Sequence, residues 1–375
     1  MRLAPSALLL AIGGAFAQAP ETDGALNETV QSIRKAGLFS VDLETTIYKP
    51  DGDGPFPVVL INHGKANGDP RFQPRYRPAQ AARYFLQRGY AVVAPMRQGF
   101  SKSGGSYIGG GCNVESNGRV QAEDVKAVLD YLATQPWVDK DQLLVVGQSH
   151  GGWTTLAFGP QKYPGVKALV NFAGGLRQEL CPNWKEALAG GAADYARGTT
   201  LPSLWFYGDN DSYFDPPTFH AMFDQYNAAG GRAKLVAFGN FGVDAHYLFA
   251  ARTGTAIWQP ELTAFLASIG MPSTVRPEFA KYGVSSAIPL PAPSKFAALE
   301  DESKVPYVKD GGRAGYKAYL GKLLPRAFAV ARNGSWGWAD GGDDPLKRAL
   351  DFCNRNGQGE CRLYSVDDQV VWEPR

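Results

Sequence analysis

The chain lacks the short signatures of nucleotide and metal chemistry. No Gly-Lys-Ser/Thr closes a Walker-type loop, no His-Glu-x-x-His occurs, and no Cys-x-x-Cys occurs. A phosphate cradle or a thiolate zinc site therefore has no residues to build it, and no metal or other cofactor is expected. Neither charge sign dominates: 38 Lys and Arg against 36 Asp and Glu leave a net +2, which gives no electrostatic reason for a nucleic-acid or acidic-membrane partner. Hydrophobic residues make up 44% of the chain, yet they never gather into the roughly twenty-residue run that spans a bilayer. Histidine and cysteine occur only four times each, so a search for a general base or a disulfide has few positions to weigh.

The 375 residues exceed what one core serves, and one large unit with a smaller one is expected. The first residues read as an export signal: Arg2 is the positive end, Ala7 to Ile12 the apolar stretch, and Ala15-Phe16-Ala17 the small-x-small cleavage site. The expected mature chain is exported and begins near Gln18. Export permits disulfides, and four thiols allow three connectivities. Cys353 and Cys361 flank the turn-rich segment Asn354 to Glu360 and would staple it, which leaves Cys112 with Cys181.

Between residues 40 and 270 strand-like and helix-like segments alternate. Apolar runs at Leu43–Tyr48, Pro57–Asn62, Tyr90–Ala94, Gln142–Val146, Ala168–Phe172, Leu204–Tyr207 and Leu235–Phe238 predict strands. Helical spacing appears over Pro78–Arg88, Val120–Leu132, from Trp153, and over Pro217–Ala229. This alternation implies an α/β fold, a mostly parallel sheet with helices on both faces and ligand sites at the strands' carboxyl ends. Residues 271–306 are rich in proline and read as a linker. Residues 307–375 read as a small α+β unit, with strands near Ala327–Ala331, Arg362–Val366 and Val370–Trp372 and a helix from Pro345 to Asn354.

The run Gly147-Gln148-Ser149-His150-Gly151-Gly152 follows the apolar Leu143–Val146 directly. A Gly-x-Ser-x-Gly between strand and helix lifts the serine onto a strained turn, and its glycines remove the Cβ atoms that would collide there. A serine so placed needs a base. Of the four histidines, His63 and His150 sit in backbone motifs and His220 in the helix Pro217–Ala229. His246 lies in the loop after the last candidate strand, where the base belongs. The partner carboxylate should close the strand Leu204–Tyr207, which ends Gly208-Asp209-Asn210-Asp211; Asp211 is favoured over Asp209, and Asp244 is a more remote choice. An oxyanion would be held by the backbone amides of His150 and of Lys65, the latter in the turn His63-Gly64-Lys65 after strand Pro57–Asn62. Arg71, Arg75 and Arg77 follow that turn and read as a solvated basic loop before an anion site. Trp153, Trp184, Phe206 and Tyr213 read as core before a pocket lining.

Residues 40 to 270 resemble the dienelactone hydrolase-type branch of the α/β hydrolases. The likeness rests on Asn62-His63-Gly64, Arg97 to Gly105, Gly147 to Gly152, Asn171 to Gly175, Leu204 to Asp211 and Ala245-His246. The namesake enzymes carry a cysteine nucleophile where this chain has Ser149, and a glycine where it has Ala245. The resemblance implies a Ser149–His246–Asp211 triad acting on carboxylic esters, whether small-molecule or polymeric, through an acyl-enzyme. A serine peptidase of the same fold and an inert envelope- or polymer-binding protein are the other readings. The tail resembles small Cys-containing modules appended to bacterial exported proteins.

Overall fold

The computed structural model describes residues 20–37, 40–109, 111–284, 288–322, 324–341, 344–357 and 360–374. The expected export signal and its cleavage site lie outside the described residues.

Eight strands form the main sheet: β1 (Glu28–Lys35), β2 (Val41–Tyr48), β3 (Phe56–Asn62), β4 (Ala91–Pro95), β5 (Val138–Gln148), β6 (Val166–Phe172), β7 (Pro202–Tyr207) and β8 (Arg232–Ala237). Their order is β1-β2-β4-β3-β5-β6-β7-β8. The pairs β1–β2 and β2–β4 are antiparallel and every later pair is parallel. All seven residues of β3 and all five of β4 are buried, as strands covered on both faces require, and their sequences are accordingly continuous apolar runs. β1 and β8 close the edges and alternate between exposed and covered positions. In this sheet β1 is the one strand the sequence did not predict, because Glu28-Thr29-Val30-Gln31-Ser32-Ile33-Arg34-Lys35 buries only Glu28 and Ile33.

Six helices cover this sheet: α1 (Ala79–Leu86), α2 (Val114–Leu132), α3 (His150–Phe158), α4 (Trp184–Gly198), α5 (Pro216–Ala228) and α6 (Thr255–Ser268). α1 meets α6 through Tyr84 and Trp258, whose ring centres lie 5.1 Å apart. α2, α3 and α4 pack on one another, and α4 on α5. α4 and α6 are absent from the sequence reading: Gly190 and Gly191 interrupt the helical pattern of α4, and Pro260 sits inside α6.

Beyond the first core lie α7 (Asp310–Leu320), β9 (Arg326–Val330), β10 (Trp336–Asp340), α8 (Pro345–Gly357), β11 (Arg362–Val366) and β12 (Gln369–Val370). The four strands form an antiparallel sheet in the order β10-β9-β11-β12. β9 alternates its faces: Phe328 and Val330 join Tyr316, Tyr319, Tyr364 and Trp372 on the α7 side, and Ala327 and Ala329 join Leu346, Ala349 and Cys353 on the α8 side. Cysteine sulfurs pair as Cys112–Cys181 and Cys353–Cys361, with Cα atoms 5.5 and 6.0 Å apart. The stretch expected as a linker is shared between the two cores. Phe279 and Tyr282 are buried in the large one, where the Tyr282 hydroxyl accepts from Asp51 N at 2.9 Å, while Ile288 packs on the small one.

Candidate active site

β5 runs into α3 through Ser149, which holds φ 56° and ψ −126°. A non-glycine residue there is strained, and the strain is held by its surroundings. Ser149 N donates to Phe172 O at 2.9 Å, and Ser149 O accepts from Trp153 N and Gly175 N at 3.0 and 3.2 Å. The flanking glycines are needed for space. A Cβ on Gly147 would stand 2.1 Å from Gly151 O, and one on Gly151 would stand 2.2 Å from Asn62 O. α3 begins at His150, one turn earlier than the apolar pattern suggested, so the amides of its first turn have no intrahelical acceptor.

β7 and the loop after β8 bring Asp211 and His246 together. Asp211 Oδ2 lies 3.0 Å and Oδ1 3.2 Å from His246 Nδ1. Asp211 is buried and its Oδ1 also accepts from Tyr213 N and Phe214 N at 2.8 and 3.0 Å, so the carboxylate is pre-oriented. Asp209 is exposed, and Asp244 faces away, accepting from Ser212 Oγ at 2.6 Å and capping the turn that carries His246. The His246 ring lies 4.3 Å from that of Tyr213, and His246 O accepts from Gln148 Nε2 at 3.0 Å. Gln148 thereby ties the histidine turn to the elbow. The sequence carried no signal for it, because the second position of the elbow accepts any residue.

Gly64 meets the elbow from β3: a Cβ on it would lie 3.2 Å from Ser149 Cβ. Its turn is held by a polar network. His63 Nε2 accepts from Arg97 N at 3.0 Å, which leaves the proton on Nδ1 to be donated to Gly64 O at 2.6 Å. Arg97 Nη1 donates to His63 O at 2.7 Å, and Gln73 Oε1 accepts from Ala66 N at 2.8 Å. His150 Nε2 donates to Asn117 Oδ1 at 3.1 Å. Burial, with the Arg97 cation adding to it, pushes both His63 and His150 well below the ordinary imidazole range. Both rings are scaffold in this geometry. His220 is exposed on α5, away from the cavity.

Ser149, His246, Gly64 and Lys65 line one cavity of about 360 Å³, with Tyr213 among its walls. The other three aromatic candidates do not line it: Trp153 and Phe206 are fully buried, and Trp184 heads α4. The basic loop is only partly solvated: Arg71 is exposed, as expected, but Arg75 and Arg77 are not free. Arg75 and Arg77 are both held by the buried Glu28, with Arg75 Nη1 donating to Oε1 at 2.6 Å and Arg77 Nε at 2.8 Å. Arg71 donates to the carbonyls of Ser103 and Gly105. Arg75 and Arg77 near the cavity are thus compensated, and its lining brings a strained serine and a carboxylate-held imidazole together with the charged Lys65, Asp69, Lys322 and Asp340.

Residues 37–179 match the family model of X-Pro dipeptidyl-peptidase (S15 family). Among solved structures, the chain is similar to esterase 2 of Thermogutta terrifontis, at 19% identity and TM-score 0.48 over 69% of this chain and 100% of that one. It is similar to an esterase of Pyrococcus furiosus, at 15% identity and TM-score 0.47 over 68% and 96%. A Klebsiella pneumoniae protein described as a dienelactone hydrolase aligns at 19% identity and TM-score 0.47 over 64% and 98%. With its antiparallel second strand, its parallel remainder and an elbow serine at the carboxyl end of β5, this chain has the α/β-hydrolase fold.

Proposed function

We propose that the protein is an exported serine hydrolase that cleaves carboxylic esters, with residues 40–270 as its catalytic unit. The observation that carries this reading is the buried Asp211–His246 pair opening on the same cavity as the strained Ser149. Asp211 fixes the imidazole with its proton on Nδ1, which leaves Nε2 as the base. Ser149 Oγ attacks the acyl carbon and its proton passes to Nε2. The amides of His150 and Lys65 receive the oxyanion. Collapse breaks the bond to the alkoxy oxygen, which takes the proton back from Nε2. Water then attacks the acyl-serine by the same route and releases the acid. Export is supported by the leader-like first residues and by four cysteines in two pairs.

Labelling of the purified protein with a fluorophosphonate, read by peptide mass spectrometry, tests this. Modification at Ser149, lost together with p-nitrophenyl ester hydrolysis in Ser149→Ala, is the expected result. Unchanged hydrolysis in Ser149→Ala overturns it. A peptidase reading is favoured by the match of residues 37–179 to the S15 family model. A higher kcat/KM on an X-Pro p-nitroanilide than on short esters would replace the ester reading with that one.

A further inference from the structure

The cavity at Ser149 is not closed by the large sheet alone. Gly321, Lys322, Leu324 and Pro325, which follow α7, and Asp340 and Gly341, which end β10, form part of its wall. We propose that this C-terminal unit is the specificity wall of the site and selects esters whose apolar substituent is small. The assignment rests on the serine-hydrolase reading above.

Three observations carry it. The wall is built, not draped. Arg326 is buried, and its Nη1 donates to Tyr319 O at 3.2 Å, to Lys322 O at 2.8 Å and to Leu320 O. Its Nε donates to Asp367 O at 3.0 Å. One guanidinium therefore pins the wall segment to the turn between β11 and β12. Second, the unit is joined to the histidine loop itself, since Asp368 Oδ2 accepts from Val243 N at 3.2 Å, three residues before His246. Third, the cavity discriminates by shape. Arg75 and Arg77 are paired with Glu28, and Leu324 and Pro325 share the lining with Phe72, Tyr213 and Phe249. The charges of Lys65, Asp69, Lys322 and Asp340 are the same for every member of a neutral ester series. About 360 Å³ stands near the lower end of small-molecule sites, so a few methylenes decide what fits.

Two substitutions move this wall in opposite directions. Leu324→Ala widens it. Gly321→Phe narrows it at a position that accepts a side chain: φ is −83°, and a Cβ would meet only Ala318 O, at 3.6 Å. Steady-state kcat/KM is measured for p-nitrophenyl esters from acetate to decanoate and for a matching series of alkyl acetates, with circular dichroism reporting folding. In at least one series, Leu324→Ala should raise the ratio of long-chain to acetate or methyl substrate about tenfold, and Gly321→Phe should lower it by a similar factor. A chain-length profile unchanged in both series, in whichever variant folds, overturns the wall while wild-type fluorophosphonate labelling at Ser149 still stands. If the wild-type serine does not label, the hydrolase reading fails first and this assignment falls with it.

Discussion

At Asp211 the geometry separates two carboxylates that stand two residues apart. Asp209 points to solvent, whereas Asp211 is buried, receives two backbone amides and faces His246 Nδ1. Asp211→Asn keeps the volume but favours the wrong imidazole tautomer. Its kcat on a p-nitrophenyl ester should fall by about 10⁴, with Asp209→Asn near wild type. A second carboxylate, Asp367, tells on stability. Burial pushes its pKa up to about 6, against the pull of Arg252 and Arg326. Its folded value thus lies above the unfolded value of about 3.9, so its contribution is complete below pH 4 and is lost as pH rises through 6. Asp367→Asn can still accept from Arg326 N, which lies 2.9 Å from Oδ1. It should exceed wild type in stability by roughly 1–3 kcal/mol at pH 7.5 and match it at pH 4, measured by calorimetry at both.

Among the elements, β1 is the least visible in the sequence and the most consequential for the loop beside the site. Glu28 begins it and is fully covered by Arg75 and Arg77. Burial raises its carboxyl, and the two guanidinium groups outweigh that and hold it below the ordinary range. Glu28→Gln leaves two arginines, each about nine-tenths covered, without their buried partner, Arg77 keeping only the exposed Glu21 at 3.7 Å, and should cost about 3–5 kcal/mol in chemical denaturation. A loss below 1 kcal/mol would show that the loop holds without β1. Glu28–Lys35 hid the strand because its two buried residues, Glu28 and Ile33, stand five apart on opposite faces, which leaves no alternating apolar face to read.

The whole molecule is joined where the C-terminal sheet meets the histidine loop. Asp368 accepts from Val243 N, and Gly242 passes so close that a Cβ on it would lie 2.5 Å from Asp368 Oδ2. Asp368 is a positioning residue in this arrangement. Asp368→Ala should lower kcat on short esters about threefold to tenfold with KM unchanged, and Asp368→Asn, which can still accept from Val243 N, should restore it. Equal rates in all three proteins would uncouple the C-terminal unit from the histidine. The stretch 271–306 belongs to the same scale. Its prolines suggested a tether, but Phe279 and Tyr282 are anchored in the large core and Ile288 in the small one.

The α/β alternation, the elbow at Ser149 and the strand ends that carry Asp211 and Lys65 were legible in the sequence, because each is a local pattern of sterics and hydrophobic period. An apolar run followed by Gly-x-Ser-x-Gly can bend in few ways, and central parallel strands must be apolar throughout. Partners distant along the chain were not legible. Glu28 meets Arg75 and Arg77 across 47 and 49 residues, and nothing in a short window specifies which buried charge answers which. The wall that Gly321, Leu324 and Asp340 lend to the Ser149 cavity is further still along the chain. Tertiary packing alone decided it, since a cavity's shape is set by surfaces that become neighbours only when two cores are joined.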